Sequence, residues 1–359
     1  MREIQKRGSF SFFGIGGRHM REAGVELLYS TDELAVMGFG EVVGKIPFFL
    51  KAMSNVAKEA KARKPSLFVA IDFPGFNMRM CGRMKKLGVP VAYYISPQVW
   101  AWGEGRIEKI RKNVDKMLVI FPFEEEFYRK RGILAEYVGH PLVKKVKAGR
   151  SRDEYLDEIG FDKTRPVIGL LPGSRLQEVR RVLPEMLGAA EILSERGAVS
   201  QFLLGPGVSL EEKEMKRLLG SLSARVKIDK GRTYDLMSAS DLNLVTSGTA
   251  TLEAALLEKP MIILYKTSAL SWLIGRAVVK LPYIGLANIV AGGKVVPELL
   301  QDRCRRDIIA DTAEELLRNG DGKAAIKKAF STLRSTLGER DAPSTAAERA
   351  LSLLRGIRH

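Results

Sequence analysis

An α/β protein built from two parallel-sheet halves is what this sequence predicts, and three observations carry the prediction. Short, continuous apolar runs rich in β-branched residues recur along the chain. Longer amphipathic segments separate most of them. Parallel strands need helical crossovers, which cover both faces of the sheet, so apolar strands alternating with helices imply parallel sheets. At 359 residues there is room for two such units.

Taken in order, the first expected strand is "SLFVAID" (66–72), followed by a helix over "FNMRMCGRMKKLG" (76–88). "VAYYIS" (91–96) and "KMLVIF" (116–121) are the next strands. A polar, basic, mostly helical passage, "VGHPLVKKVKAGRSRDEYLDEIG" (138–160), then divides the chain. "VIGLLP" (167–172) opens the second half, a helix over "VRRVLPEMLGAAEILSERG" (179–197) follows, and "QFLLG" (201–205), "DLNLVTS" (241–247) and "PMIILYK" (260–266) are further strands. The expected organisation is a Rossmann-like domain over 1–150, a second over 151–335, and a C-terminal helix within 336–359. That helix either returns to the first domain or crosses to a second copy in a homodimer. A cleft between two such halves is a usual place for a ligand.

Composition bounds the chemistry. The net charge of +16, from 58 Lys and Arg against 42 Asp and Glu, favours anionic partners such as phosphorylated substrates or an anionic membrane surface. The cations are spread along the chain, with no basic tail and no nucleic-acid module, so nucleic acid is not an expected partner. Cys81 and Cys304, and His19, His140 and His359, are scattered without metal-ligand spacing. No metal, cofactor or disulfide is expected, and a reducing compartment is the simple reading. The N-terminus lacks the apolar core of a signal peptide, and no run reaches the ~18 apolar residues of a transmembrane helix. The nearest, "SALSWLIGRAVVKLPYIGLANIVAGG", is broken by Arg276 and Lys280. A soluble or membrane-peripheral protein is expected.

Two turns stand out. In "GLLPGSRLQEVRR" an apolar run stops at Pro172-Gly173-Ser174-Arg175 and a charged helix begins at once. Small residues there let backbone N–H groups approach an anion, and Arg175 adds a planar donor suited to phosphate. The alternative is a tight turn with a solvent-facing arginine. In "LVTSGTATLEAALLEKP" a strand likewise runs into Ser247-Gly248-Thr249 and a helix carrying Glu253. That turn also suits a phosphate, and the carboxylate one turn further in suits ribose hydroxyls. Plain N-capping by Ser247 or Thr249, and a first-turn acid at Glu253, are the bland alternatives. Two such turns in one domain favour a nucleoside-diphosphate site.

"AIDFPGFN" (70–77), "YISPQVWAWGEGR" (94–106), "VGHPL" (138–142), "LLPGSRLQEV" (170–179), "SGTATLE" (247–253) and "LANIVAGGKVVPELLQ" (286–301) occur in that order, with "DELAVMGFGEVVGKIP" (32–47) ahead of them. Over nearly the whole chain this set resembles the lipid-A-disaccharide synthases, inverting glycosyltransferases of the GT-B fold. The resemblance implies transfer of 2,3-diacylglucosamine from UDP-2,3-diacylglucosamine to the 6-hydroxyl of 2,3-diacylglucosamine 1-phosphate, without a metal, on the cytoplasmic side of the inner membrane. It makes Asp72 the family's essential aspartate and candidate base, and Arg175 the arginine that meets the UDP phosphates. Glu253 and Asn288 correspond to UDP-holding positions, with Glu298 and Gln301 nearby. Ser96, Trp100 and Trp102 lie on a loop of the acceptor half, as pocket walls or as packing anchors. Arg106 is a candidate for the acceptor 1-phosphate, while His140 is expected to be structural.

Acylated substrates are drawn from a bilayer, so the apolar stretch 36–53 and the segment 271–282 are candidate membrane-contacting surfaces, core packing being the alternative. Two departures from the family pattern remain. The sequence opens without the apolar strand and Gly-Glu-x-Ser-Gly-Asp loop expected ahead of Arg2, through a downstream-set start or a real truncation. Gly103 stands where a basic residue is expected. The competing functions are a catalytically weak UDP-sugar-binding remnant and a UDP-sugar epimerase of the same architecture.

Overall fold

The computed structural model describes residues 1–31, 42–101, 103–207, 212–278 and 281–355. Two compact units result, one formed by residues Met1–Pro141 together with Glu339–His359 and the other by Leu142–Gly338. Every described strand pairing is parallel.

In the first unit, β1 (Phe12–Gly16) and β2 (Val25–Ser30) form a two-stranded sheet. A second sheet has the sequential order β3 (Phe68–Ile71), β4 (Val91–Tyr94), β5 (Lys116–Val119), β6 (Ala135–Tyr137). Period-two alternation sorts the side chains between two faces. Val91, Tyr93, Met117 and Val119 join Met80 and Met84 of the helix Pro74–Lys86 in one core. Ala92 and Leu118 point the other way, onto Ala346 and Ala350 of the C-terminal helix Ala342–Arg355. Small residues on both sides let that helix lie close to the sheet. Strand β3, expected to be buried, is largely half-buried because it is the edge of this sheet.

The second unit holds a six-stranded sheet in the order β12 (Glu298–Leu300), β11 (Met261–Tyr265), β10 (Leu242–Thr246), β7 (Val167–Leu171), β8 (Gln201–Leu204), β9 (Val226–Ile228). β7, β8 and β10 are buried along their whole length. The helix Leu176–Glu195 covers one face and buries Val179, Leu183 and Met186 in the main core. Gly169 shows how tightly the centre is packed. It pairs with Asn243 across the ladder, and a Cβ on it would come 2.3 Å from Asn243 Oδ1.

Candidate functional site

The chain runs outward from β7 through β8 to β9, then returns to the other side of β7 to lay down β10. The order therefore reverses between β7 and β10, and the carboxyl ends of strands at such a switch point are where open α/β sheets bind ligands. Both glycine turns sit there. β7 and β10 are in register, Leu170 beside Leu244 and Leu171 beside Val245, so Pro172–Arg175 and Ser247–Thr249 leave the sheet side by side.

At the first turn, Gly173 has φ +106°, a conformation glycine adopts without strain. The next loop closes on it. A Cβ on Gly207 would come 2.4 Å from the Gly173 carbonyl oxygen, so only glycine fits beside the turn. Arg175 is the N-cap of helix Leu176–Glu195, with no side-chain cap bond, and Ser174 is exposed. The Arg175 side chain is 81% exposed, and among the described residues its guanidinium holds Glu178, at 2.8 Å. An exposed pair of this kind is worth little and is easily exchanged for a ligand phosphate.

The second turn decides two questions the sequence left open. Gly248 is the N-cap of the helix Thr249–Leu256, no side chain caps it, and no acid lies in its first turn. The capping alternative for Ser247 and Thr249 and the first-turn alternative for Glu253 are therefore set aside. Thr249 is exposed at the helix start. The Ser247 hydroxyl donates to the Ile284 carbonyl at 3.0 Å. Glu253 accepts from the Tyr234 hydroxyl at 2.9 Å, and burial raises that phenol to about 12. Between the turns, Thr246 Oγ1 is buried without a hydrogen-bond partner among the described residues.

Asn288 and Glu298 sit one layer behind. The fully buried Asn288 amide donates to Val296 O and Glu298 Oε1 and accepts from the amides of Val295 and Val296. Glu298 accepts from the amides of Ile284 and Gly285, at the N-terminus of the helix Leu286–Ala291. Ser247, Ile284, Glu298 and Asn288 thus form one chain of bonds that fixes the second turn. Gln301 brackets Thr267, accepting from its amide at 2.7 Å.

In the first unit, Asp72 and Phe73 follow β3 with φ +46° at both, a conformation that strains non-glycine residues by about 1–3 kcal/mol each. The strain is held by the surroundings. Asp72 N–H donates to Tyr94 O, and the Asp72 carbonyl accepts from Asn77 Nδ2 at 2.7 Å and from the Tyr93 hydroxyl at 2.8 Å. The turn leaves the Asp72 side chain exposed.

The neighbouring loop hangs on a carboxylate that sequence reading missed. Glu124, 1% exposed, accepts from Ser96 Oγ at 2.5 Å, Trp100 Nε1 at 2.9 Å and the amides of Ile120 and Phe121. Burial raises its pKa against those four donors. Trp100 also stands edge-on to Phe121 and Phe123, so the anchor reading describes it. Trp102 lies outside the described residues. Arg106 ends the short 3-10 turn Glu104–Arg106. Gly103 has φ +93°, a conformation glycine adopts without strain. His140, 5% exposed against Phe121, is lowered to about 4 by burial and is neutral at pH 7.

Of the apolar stretch 36–53, residues 36–41 lie outside the described residues. Ala52 and Met53 are core, while Leu50 is exposed. Among the described residues no helix is long and apolar enough to cross a membrane, and no three His, Cys, Asp or Glu side chains cluster as metal ligands.

A family model described as lipid-A-disaccharide synthetase matches residues 1–352. The lipid-A-disaccharide synthase of Syntrophus aciditrophicus is 44% identical over 353 residues, covering 98% of this chain and 92% of that protein. The synthase of Myxococcus xanthus is 39% identical over 350 residues, covering 97% and 91%. Among solved structures, S. aureus MnaA with UDP aligns at TM-score 0.60 and 11% identity, over 98% of this chain and 97% of that one. The calicheamicin glycosyltransferase CalG4 aligns at 0.60 and 13%, over 98% and 93%. At such identities the likeness is one of fold, the two-sheet GT-B type expected from the sequence.

Proposed function

The chain belongs to the lipid-A-disaccharide synthase family, glycosyltransferases of lipid A biosynthesis, and on that premise we propose that it joins 2,3-diacylglucosamine from its UDP conjugate to 2,3-diacylglucosamine 1-phosphate. The observation that carries the donor half of this reading is the pair of uncapped glycine turns at the switch point between β7 and β10. Amides of the two helix N-termini and the loosely held Arg175 take the UDP diphosphate, and Glu253, oriented by Tyr234, takes the ribose. Asn288 and Glu298 act behind them by fixing the Ser247 turn. The structure of MnaA with UDP supports a uridine nucleotide on this fold.

Asp72 is the base. Its carboxylate takes the proton of the acceptor 6-hydroxyl as that oxygen attacks C1 of the donor sugar from the side opposite UDP. The C1–O bond to the diphosphate breaks and its electron pair leaves with UDP, where Arg175 and the helix N-termini offset the charge. Inversion gives the β-1,6 disaccharide. The strained backbone at Asp72 and Phe73 supports a functional role, since such strain gathers at working sites. Acylated substrates place the enzyme at the cytoplasmic face of the inner membrane.

The purified chain, supplied with both lipids in detergent, is expected to release UDP only when the acceptor is present. Arg175→Ala is expected to weaken UDP binding by about tenfold or more, since a charge-assisted bidentate contact is worth ~1.5–3 kcal/mol. Interconversion of the donor sugar without UDP release would favour the epimerase instead.

A further inference from the structure

Among the described residues, three buried side-chain oxygens lack a hydrogen-bond partner: Ser194 Oγ, Asn243 Oδ1 and Thr246 Oγ1. Ser194 lies in the last turn of the helix Leu176–Glu195, at the far end from its N-terminus. Asn243 is mid-strand, packed so that a Cβ on Gly169 would come 2.3 Å from its Oδ1, and its Nδ2 donates to Met237 O at 3.2 Å. Thr246, 3% exposed, is the last residue of β10 and so stands at the carboxyl edge of the sheet. Taking a hydroxyl out of water without giving it a partner is costly. An orphan at the ligand-binding edge of a parallel sheet therefore points to a bond completed by the ligand.

The strand's own alternation places this side chain. Leu242 and Leu244, four and two residues earlier on β10, lie in the core that the helix Leu176–Glu195 covers. Thr246 falls on that same face, one step beyond the core. There it lies against the first glycine turn, with Cγ2 3.3 Å from where a Cβ on Gly173 would stand. The second turn starts at the very next residue. Its other hydroxyls are engaged or exposed: Ser247 donates to Ile284 O at 3.0 Å, Thr251 to Gly248 O at 2.8 Å, and Thr249 faces solvent. An acid is close by as well. Glu178 Oε2 is 3.1 Å from the same point beside Gly173, and Arg175 offsets its charge at 2.8 Å.

We propose that Thr246 is a substrate-binding residue whose hydroxyl donates to an oxygen of the donor's diphosphate, between the two helix N-termini. The helix amides meet the phosphates from the turns, and Thr246 adds a donor from the end of the strand. A hydrogen bond to an ionised oxygen is stronger than one between neutral groups, and stronger again where water is excluded. The hydroxyl is left unpaired in the free protein and is satisfied by the bound diphosphate. The inference deepens the donor-site reading above and rests on it.

The test compares Thr246→Val and Thr246→Ser with the wild-type chain, titrating each with UDP and, by competition, with uridine. Valine keeps the shape and removes the hydroxyl. Thr246→Val is expected to bind UDP about tenfold more weakly and uridine as wild type does, while Thr246→Ser retains most of the UDP affinity. The thermal midpoint of ligand-free Thr246→Val is expected to equal or exceed that of wild type, because the variant buries a methyl group where wild type buries an unpaired hydroxyl. A merely structural hydroxyl would give the reverse pattern, a lower midpoint with UDP and uridine affected alike, and that result overturns the inference. Unchanged UDP affinity in Thr246→Val, with affinity lost in Arg175→Ala, overturns it too and leaves the donor site where it was placed. A UDP affinity that depends on Thr246 in a chain that makes no disaccharide would keep the contact and remove the proposed reaction.

Discussion

Two buried titratable side chains of the first unit make opposite demands on pH. His140 is held near 4 by burial, against an ordinary value near 6.5, so the unfolded chain takes up a proton between those values that the folded chain refuses. Stability is therefore lost as pH falls through that window, by up to about 3 kcal/mol. Glu124 is shifted upward, so the folded chain keeps a proton that the unfolded chain has released, and stability falls as pH rises above the ordinary carboxylate range. Urea unfolding at pH 4.5 and 7.5 is expected to show a smaller acid loss in His140→Gln than in wild type, and Glu124→Gln should remove a loss of the opposite sign. An identical acid loss in His140→Gln would show that another group carries it. His140 was expected from the sequence to be structural, and it is buried, but the role of Glu124 was not legible. Glu124 sits in an ordinary "FEEEF" run, and its partners Ser96 and Trp100 are supplied by a loop 28 and 24 residues earlier.

At the scale of elements, the strands a reader can find are mostly the buried ones, with β3, a half-buried edge strand, found as well. β4, β5, β7, β8, β10 and β11 are short apolar runs, and the sequence marks each to within a few residues. Those it does not mark are edges or short, half-exposed pieces. β6 is three residues long and contains Glu136, which pairs with Lys116 and Arg349, while β9 and β12 are three-residue strands at the sheet edges. The two site turns were legible because Pro, Gly and Ser punctuate them. Gly207, Tyr234 and Thr246 were not, since each matters only through a neighbour that the fold brings in. Gly207 offers the cleanest test of the turn geometry. A Cβ there must displace the Gly173 carbonyl, whereas one at Gly231 meets nothing within 4 Å. Gly207→Ala is expected to weaken UDP binding about tenfold in a calorimetric titration, or ~1.4 kcal/mol, while Gly231→Ala leaves it unchanged. Equal affinities would mean that the turn between β7 and its helix does not hold the nucleotide.

On the scale of the whole molecule, each unit is a parallel-sheet protein with its own core, and the chain's last helix is built into the first. Ala346 and Ala350 lie against Ala92 and Leu118, so the C-terminal residues complete a core begun some 250 positions earlier. Ala350→Asp puts a carboxylate at a site 2% exposed and is expected to lower stability by about 3 kcal/mol, read as a fall in the thermal midpoint. A midpoint equal to wild type would mean that the helix is not part of that core. The central claim is the proposed transfer with Asp72 as its base. Its most direct test is a mass-spectrometric assay of the chain and of Asp72→Asn, with UDP-2,3-diacylglucosamine and 2,3-diacylglucosamine 1-phosphate in detergent. A tetra-acyl disaccharide 1-phosphate made by wild type and reduced at least about 10²-fold in Asp72→Asn, with UDP affinity unchanged, is the predicted result. Wild-type turnover by Asp72→Asn would contradict it.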